Sequence, residues 1–231
     1  MKRSKITTLS FIDISVLTVI FFGIPILSSL SEYLQLLQNG QTAPESLSLD
    51  DLAGYRIMVL ELLSLAVAWL YLRWRRFDFK VLNFSVNRYT LPLVILLVCA
   101  AGLTADIYQY LHQYLIPEHF PETSELETGV QETSLLWSVS LLNGFYEELF
   151  FMGLVFAVTP KMLPRVVMLS MMVRFLFHTY QGLAGALTIT TLGLVFFLFR
   201  RQFSALVPFM LAHALFDVFG LSVLVYFYEV L

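Results

Sequence analysis

Hydrophobic and polar positions divide the chain into long apolar runs separated by short polar stretches. Hydropathy predicts eight helices, at residues of roughly 11–31, 54–73, 91–112, 134–158, 165–180, 182–199, 204–219 and 221–231. Most of these runs approach the ~20 residues with which a helix crosses a bilayer. The short links between the later runs favour antiparallel packing of neighbouring helices. The pattern therefore predicts an all-α, polytopic integral membrane protein, with about eight transmembrane helices in a single membrane domain, 1–231.

Composition narrows the possible functions further. Of the 231 residues, 58% are hydrophobic and 13% are charged, and that charged share is about half of what soluble domains carry. The net charge of −3 is spread without a sustained basic patch, which argues against nucleic acid as a partner. Because the chain has a single cysteine, it cannot form an intrachain disulfide or a metal site made of several cysteines.

Charged residues alternate in sign from one junction to the next. Basic residues lie before the first run and again at 73–88, 161–165 and 200–201, whereas acidic residues lie at 32–51 and 118–132. Basic loops stay on the cytoplasmic side of a membrane. The alternation therefore predicts a multi-pass protein of the cytoplasmic cell membrane, with both termini in the cytoplasm.

This orientation makes a direct prediction for reporter fusions. A reporter fused after Asp50 or Glu125 should lie on the outer side, and one fused after Lys80 on the inner side. The basic amino terminus and the apolar run after it are also compatible with a cleaved signal peptide. The many later spans favour an uncleaved signal anchor instead.

Ionisable residues inside the later apolar runs are the candidates for chemistry. Two adjacent carboxylates, Glu147 and Glu148, lie within the apolar run 135–158. The runs that follow contribute further polar side chains: Arg174, His178, His213 and Asp217. Since ionisable groups at membrane depth normally face a bundle interior or a wet cavity, we expect these side chains to converge. The prediction is that Glu147, His178 and His213 line one polar cavity, within about 10 Å of one another.

Helical spacing supports this convergence. Three pairs are spaced four residues apart, which places their members on one helix face: Asn143 with Glu147, Arg174 with His178, and His213 with Asp217. Glu148 points about 100° away from Glu147. A carboxylate and a histidine can together remove a proton from water, and a second histidine can donate a hydrogen bond to an oxyanion. Such a set can hydrolyse an amide bond without a covalent intermediate.

The same residue types leave a metal site open as an alternative. Glutamate, histidine and aspartate are acceptable ligands for a divalent ion such as zinc. However, the chain has no His-Glu-x-x-His helix, so the metal signal is weaker than the signal for water activation by a general base. We therefore predict no cofactor, no stoichiometric zinc and no effect of chelators.

The motifs resemble those of a known family. Glu147-Glu148-Leu-Phe-Phe-Met-Gly, then His178, then His213-Ala-Leu-Phe-Asp217 are similar to the three motifs of the CPBP intramembrane proteases, the CAAX prenyl endopeptidase and bacteriocin-processing (Abi) group. The resemblance covers residues 135–219, and 134–219 is the expected core of the domain. It implies an intramembrane endopeptidase that is glutamate-based and independent of metal. It also implies a peptide or membrane-protein substrate that is reached in the bilayer.

The resemblance assigns a role to each motif residue. Glu147 matches the water-activating glutamate, and His178 the histidine that assists it. His213 and Asp217 match the pair at the oxyanion site. Glu148 matches a second glutamate that orients or balances the first. Because an ionised Asp217 cannot donate a hydrogen bond, it must be protonated or serve to orient His213.

Two positions depart from the family pattern. Met152 occupies the place of an arginine, and Arg174 occupies the place of a phenylalanine. Glu148 needs a cation at membrane depth, and Arg174 is itself costly in hydrocarbon. We therefore predict an interhelical pair between Glu148 and Arg174, bidentate if geometry allows. Arg174→Met should then impair folding or activity, and the double change Met152→Arg with Arg174→Phe should largely restore what is lost.

Other functions remain open at this point. Met152 favours a catalytically impaired relative that acts as a bacteriocin immunity factor or as a scaffold. Buried glutamate and histidine also occur in transporters and proton relays, although the chain lacks paired proline-broken helices in corresponding halves. Glu147 and Glu148 could also be purely structural ion pairs. Glu61, deep in the second run, is interpreted as a structural partner for a neighbouring helix or for water. The sequence leaves prenylated CAAX tails, bacteriocin leaders and signalling peptides equally open as substrates.

Overall fold

A computed structural model describes residues 5–38, 51–116 and 133–224. Within these ranges the chain forms seven α-helices: α1 (Phe11–Gln38), α2 (Asp51–Trp74), α3 (Thr90–Leu115), α4 (Ser134–Glu148), α5 (Leu163–Phe177), α6 (Gly182–Arg200) and α7 (Val207–Phe219). A π-helix, Leu149–Leu154, continues α4, and Phe79–Val81 and Thr179–Gln181 form short 3₁₀-helices. Four helical segments are long and apolar enough to cross a membrane, at 11–38, 52–74, 90–115 and 179–200. The predicted all-α membrane fold is confirmed.

Three element boundaries differ from the sequence prediction. The run 134–158 is not one α-helix, because it changes to π geometry after Glu148. The helix predicted to end at residue 180 ends at Phe177, and His178 caps it. Of the predicted helix 221–231, residues 221–224 are not helical and the rest lies outside the described residues. Helix ends are fixed by capping and turn geometry, which hydropathy does not register.

Backbone contacts bring the basic junctions together at one end of the bundle. The segment before α1 forms β-bridges with the α2–α3 connection, through Ile6 and Phe77, and with the segment after the π-helix, through Leu9 and Val158. The Leu206 N–H, before α7, donates to a carbonyl of the α2–α3 connection at 2.8 Å. This grouping agrees with the alternation of charge in the sequence. That this end faces the cytoplasm stays a prediction.

An aromatic cluster joins α1 to the segment that carries the two glutamates. Phe22 of α1 stacks on Phe151 of the π-helix, with ring centroids 4.9 Å apart. One turn before Pro25, the Phe21 carbonyl lacks its helical partner because proline has no N–H. The Tyr146 hydroxyl donates a hydrogen bond to that carbonyl. The residue directly before Glu147 is thereby fixed against α1.

Helices α4 and α7 approach each other closely at Gly144. A Cβ atom at this position would lie 2.5 Å from the Met210 carbonyl oxygen and 3.0 Å from the Ala214 backbone nitrogen. Only glycine fits there, since neither neighbour is a flexible side-chain end. This contact places the polar face of α7, with His213, against the end of α4.

Candidate active site

The two adjacent glutamates lie at the transition from α4 to the π-helix. Glu147 is 2% exposed and Glu148 is fully buried. The π-helix begins directly after them, with a hydrogen bond from the Val155 N–H to the carbonyl of Phe150, five residues earlier. The Nε of Arg200 on α6 donates to the Met152 carbonyl at 2.7 Å. Such wide turns leave backbone carbonyls available to side chains and are frequent at functional sites.

Glu148 is bonded to side-chain nitrogen atoms from two other helices. Its Oε1 accepts from Arg174 Nη2 of α5 at 2.8 Å and lies 2.7 Å from His213 Nδ1 of α7. The predicted pair between Glu148 and Arg174 is therefore confirmed. It is not bidentate, however, because only one guanidinium nitrogen reaches Glu148, and Glu148 Oε2 has no hydrogen-bond partner among the described residues.

The structure holds the Arg174 side chain inside the bundle. It is fully buried and therefore does not extend to a membrane interface. The guanidinium carbon lies 4.1 Å from the ring centroid of Phe151, in a cation–π contact. On α6, a Cβ atom at Gly193 would come within 2.6 Å of Arg174 Cδ. A glycine on one helix and an aromatic ring on another thus form the space for this side chain.

Glu147 differs from its neighbour because nitrogen atoms lie close to it but none of the described residues forms a hydrogen bond with it. Its Oε1 lies 3.7 Å from His213 Nε2, and its Oε2 lies 3.9 Å from Arg174 Nη1. Both distances exceed those of hydrogen bonds. Among the described residues, the buried Oε2 has no hydrogen-bond partner. Glu147 therefore lies close to nitrogen atoms of His213 and Arg174, while its Oε2 accepts no hydrogen bond among the described residues.

His213 connects the glutamates to Asp217. Because the arginine-paired Glu148 carboxylate can only accept hydrogen bonds, His213 Nδ1 must be the donor in their contact. Its Nε2 then faces Glu147 and lies 3.5 Å from Asp217 Oδ1. Asp217 accepts a hydrogen bond from Asn143 Nδ2 at 2.8 Å. This bond joins α4 to α7 and supports the interpretation that Asp217 orients its neighbours.

His178 is linked to the site through the backbone carbonyl of Arg174 rather than through the glutamates. Its Nδ1 lies 2.8 Å from the Arg174 carbonyl oxygen, and its ring packs on Phe177 with centroids 3.9 Å apart. In the described part of the chain, no hydrogen bond or ion pair joins it to either glutamate. His178 is the C-cap of α5, directly after the last helical residue, Phe177. The turn after His178 is fixed by Ser29 of α1, which accepts from the Tyr180 N–H at 2.9 Å.

Glu61 is a polar neighbour that sequence reasoning placed outside the site. It is 7% exposed, and its Oε2 has no hydrogen-bond partner among the described residues. Its carboxyl group interacts electrostatically with Glu147, Asp217 and His213. The flanking Leu60 and Leu62 are 47% and 52% exposed. The sequence signal for Glu61 was a single acid among the apolar residues of the second run. The sequence alone did not show that α2 turns this residue towards α4.

Three of these groups could in principle hold a metal ion. Ligand atoms of Glu147, Glu148 and His213 all lie within 4.8 Å of one another. However, Glu148 Oε1 already accepts from the Arg174 guanidinium and from His213 Nδ1. A divalent cation would have to displace both and lie against a fixed positive charge. The donor set therefore suits a charge-paired carboxylate site better than a metal centre.

Comparison with known proteins bears on the part of the chain that carries these residues. The family model described as Type II CAAX prenyl endopeptidase Rce1-like matches residues 129–219, which include all three motifs. No curated protein and no solved structure matches the chain. The resemblance is thus confirmed: residues 129–219 match the model of a CAAX protease family, the group that the motifs resemble.

Proposed function

We propose that the protein is an intramembrane endopeptidase in which Glu147 activates the water that hydrolyses a peptide bond. The substrate is a peptide or protein associated with the membrane. The family match supports a CAAX-type intramembrane protease in general. The observation that carries the finer assignment is the contrast between the two glutamates. Glu148 accepts hydrogen bonds from Arg174 and His213, whereas Glu147 accepts none among the described residues, which leaves its Oε2 free.

The first chemical step uses this free oxygen. The Glu147 carboxylate accepts a proton from water as the water oxygen attacks the carbonyl carbon of the scissile bond. The carbonyl electron pair moves onto its oxygen and creates an oxyanion. His213 keeps its Nδ1–H on Glu148, so that Nε2, when protonated, can donate to the oxyanion. Asp217, held by Asn143, orients this imidazole.

The second step breaks the carbon–nitrogen bond. The tetrahedral intermediate collapses, and the leaving amine takes the proton that Glu147 accepted. Glu147 is thereby returned to its ionised form, and no covalent enzyme intermediate is needed. His178 supports the site by holding the carboxyl end of α5 through the Arg174 carbonyl. No metal is assigned to either step, because the guanidinium of Arg174 supplies the fixed positive charge. One membrane domain, with its core at 134–219, carries the whole reaction.

A second candidate function is a non-catalytic relative that acts as an immunity factor or scaffold. Met152 is the observation that favours it, since it is fully buried in the place of the family's arginine. Arg174 supplies a cation to Glu148 from another helix, which removes the main reason for expecting an inactive site. The two functions differ in whether Glu147 is needed for cleavage.

The experiment uses the protein purified into lipid nanodiscs and a quenched fluorogenic peptide that ends in a farnesylated CAAX sequence. In parallel, new peptide amino termini are mapped in membranes of cells that express the parental protein or Glu147→Gln. We expect cleavage by the parental protein and none by Glu147→Gln. The matched control is Glu32→Gln, because Glu32 is an exposed acid on α1.

Equal peptide profiles from the parental protein and Glu147→Gln, in both assays, would contradict the proposal. That result would favour the scaffold function. Cleavage of membrane peptides without cleavage of the farnesylated probe would support the endopeptidase and would place its substrates outside the prenylated class.

A further inference from the structure

The Arg174 guanidinium has more donors than Glu148 uses. Only Nη2 is hydrogen-bonded to the Glu148 carboxylate, at 2.8 Å. Its Nε and Nη1 are buried and have no hydrogen-bond partner in the part of the chain that the structure describes. Buried donors of a charged group are normally satisfied, because leaving them unpaired is costly. A side chain that served only as the counter-ion of Glu148 would be expected to pair with both carboxylate oxygens.

The free Nη1 faces the free oxygen of the other glutamate. It lies 3.9 Å from Glu147 Oε2, which is also buried and has no hydrogen-bond partner among the residues that the structure describes. This gap is too long for an N–H···O hydrogen bond, which spans about 2.7–3.2 Å. It is also too short for a water to lie between the two atoms on a straight line. By distance alone, an oxygen to one side of that line would be about 2.8 Å from both atoms, within hydrogen-bonding distance.

We infer that Arg174 is a further catalytic residue, whose Nη1–H and Glu147 Oε2 together bind the oxygen of the attacking water. This inference rests on the proposed function and deepens it. Glu147 accepts one proton of the water, and the water oxygen accepts a hydrogen bond from Arg174. A lone pair of that oxygen is then directed at the scissile carbonyl carbon. The guanidinium moves no proton, because arginine stays protonated in proteins.

The surroundings keep this geometry fixed. The guanidinium carbon lies over the Phe151 ring at 4.1 Å, and the Cδ fills the space left by Gly193. His178 is bonded to the backbone carbonyl of Arg174, and no hydrogen bond joins it to Glu147 among the described residues. In this chain, the group that approaches Glu147 from α5 is therefore the arginine and not the histidine.

The test separates a counter-ion from a group that binds water. Arg174→Lys keeps a positive charge for Glu148, but one ammonium group cannot reproduce the separate Nη1 and Nη2 positions of a guanidinium. We expect a thermal unfolding temperature close to that of the parental protein. We also expect kcat to fall by about 100- to 1,000-fold, the usual loss for one preorganised donor, with KM little changed. The assay uses the farnesylated fluorogenic peptide or a membrane peptide released in a Glu147-dependent way. The matched control is Arg165→Lys, an exposed cation on the same helix that should leave kcat unchanged.

A folded Arg174→Lys that keeps more than about a third of the parental kcat would overturn the inference and leave the proposed function intact. A second measurement does not depend on the variant or on a substrate. A structure of the parental protein in nanodiscs, at a resolution that shows water, should contain an ordered oxygen bonded to both Arg174 Nη1 and Glu147 Oε2. A direct hydrogen bond between these two atoms, without that oxygen, would overturn the inference. The ordered oxygen in a protein that shows no Glu147-dependent cleavage would instead count against the proposed function alone.

Discussion

Two buried carboxylates in this bundle, Asp13 and Glu147, differ in how they are hydrogen-bonded. Asp13 lies in the first turn of α1. It is 2% exposed and accepts hydrogen bonds from three side chains. Arg75 Nε donates at 2.6 Å, Tyr71 at 2.7 Å and the Ser10 hydroxyl at 2.7 Å. Glu147 is buried to the same degree, yet the nearest nitrogen atoms of His213 and Arg174 lie 3.7 and 3.9 Å from its oxygens. One site is saturated with donors and the other is not.

The difference separates a structural acid from an acid available for chemistry. Asp13 joins the ends of α1 and α2, and all of its acceptor capacity is used within the protein. An unsatisfied buried group is costly, so a fold retains one where something else binds it. At the α4–α5–α7 site the unsatisfied atoms belong to Glu147, Glu148 and Arg174. Removing one partner at a time from each site tests this contrast.

The largest effect is expected from removing Arg174, the cation beside Glu147 and Glu148. Arg174→Met leaves Glu148 as an unpaired, fully buried carboxylate, and breaking a buried pair from one side costs about 3–5 kcal/mol. The free energy of unfolding should fall by that amount, as measured by denaturation in mild detergent. The double change Met152→Arg with Arg174→Phe should largely restore stability, because a cation again adjoins Glu148. An Arg174→Met protein as stable as its parent would contradict the compensation.

A smaller loss of stability is expected at Asp13, whose carboxylate is fully hydrogen-bonded. Asp13→Asn removes the charge that pairs with Arg75, and hydrogen bonds to charged groups contribute about 1.5–3 kcal/mol each. Arg75 is 38% exposed, so that its charge can turn to water when the partner is lost. We therefore expect a loss of about 2 kcal/mol in unfolding free energy, with kcat of the folded protein unchanged. A loss of kcat without a loss of stability would show that Asp13 is not purely structural.

A single methyl group should test how tightly the site is built. Gly193→Ala places a Cβ 2.6 Å from Arg174 Cδ and forces the guanidinium to shift. Overpacking costs about 1–3 kcal/mol, and the higher helix propensity of alanine returns up to ~1 kcal/mol. We expect a net loss of about 1 kcal/mol and a clear drop in kcat. Gly23→Ala is the control, since its Cβ would meet only Val19 at 3.5 Å. Equal kcat values for the two variants would contradict a precisely positioned Arg174.

The membrane bundle and the pairing of Glu148 with Arg174 could be predicted from the sequence, because the residue types along each run are sufficient to indicate them. Apolar runs of bilayer length define helices, and a buried acid on one helix requires a cation on another. Sequence reasoning did not predict the end of α5 at Phe177, so it placed His178 within a helix that the residue instead caps. The π-helix after Glu148 was also missed, because its wide turns depend on tertiary contacts such as that of Arg200 with the Met152 carbonyl.

The smallest effect is expected from removing metal. Glu147, Glu148 and His213 have ligand atoms within 4.8 Å of one another, which could suggest a zinc site. Arg174 lies against the same carboxylates and competes for them with any divalent ion. We therefore expect chelators to leave cleavage unchanged, and elemental analysis of the purified protein to find no stoichiometric zinc. The same reasoning predicts that Arg174→Met, which frees these oxygens, binds added zinc more tightly than the parental protein does in a calorimetric titration. Stoichiometric zinc in the parental protein, together with loss of cleavage on chelation, would show that the donor set is a metal centre after all.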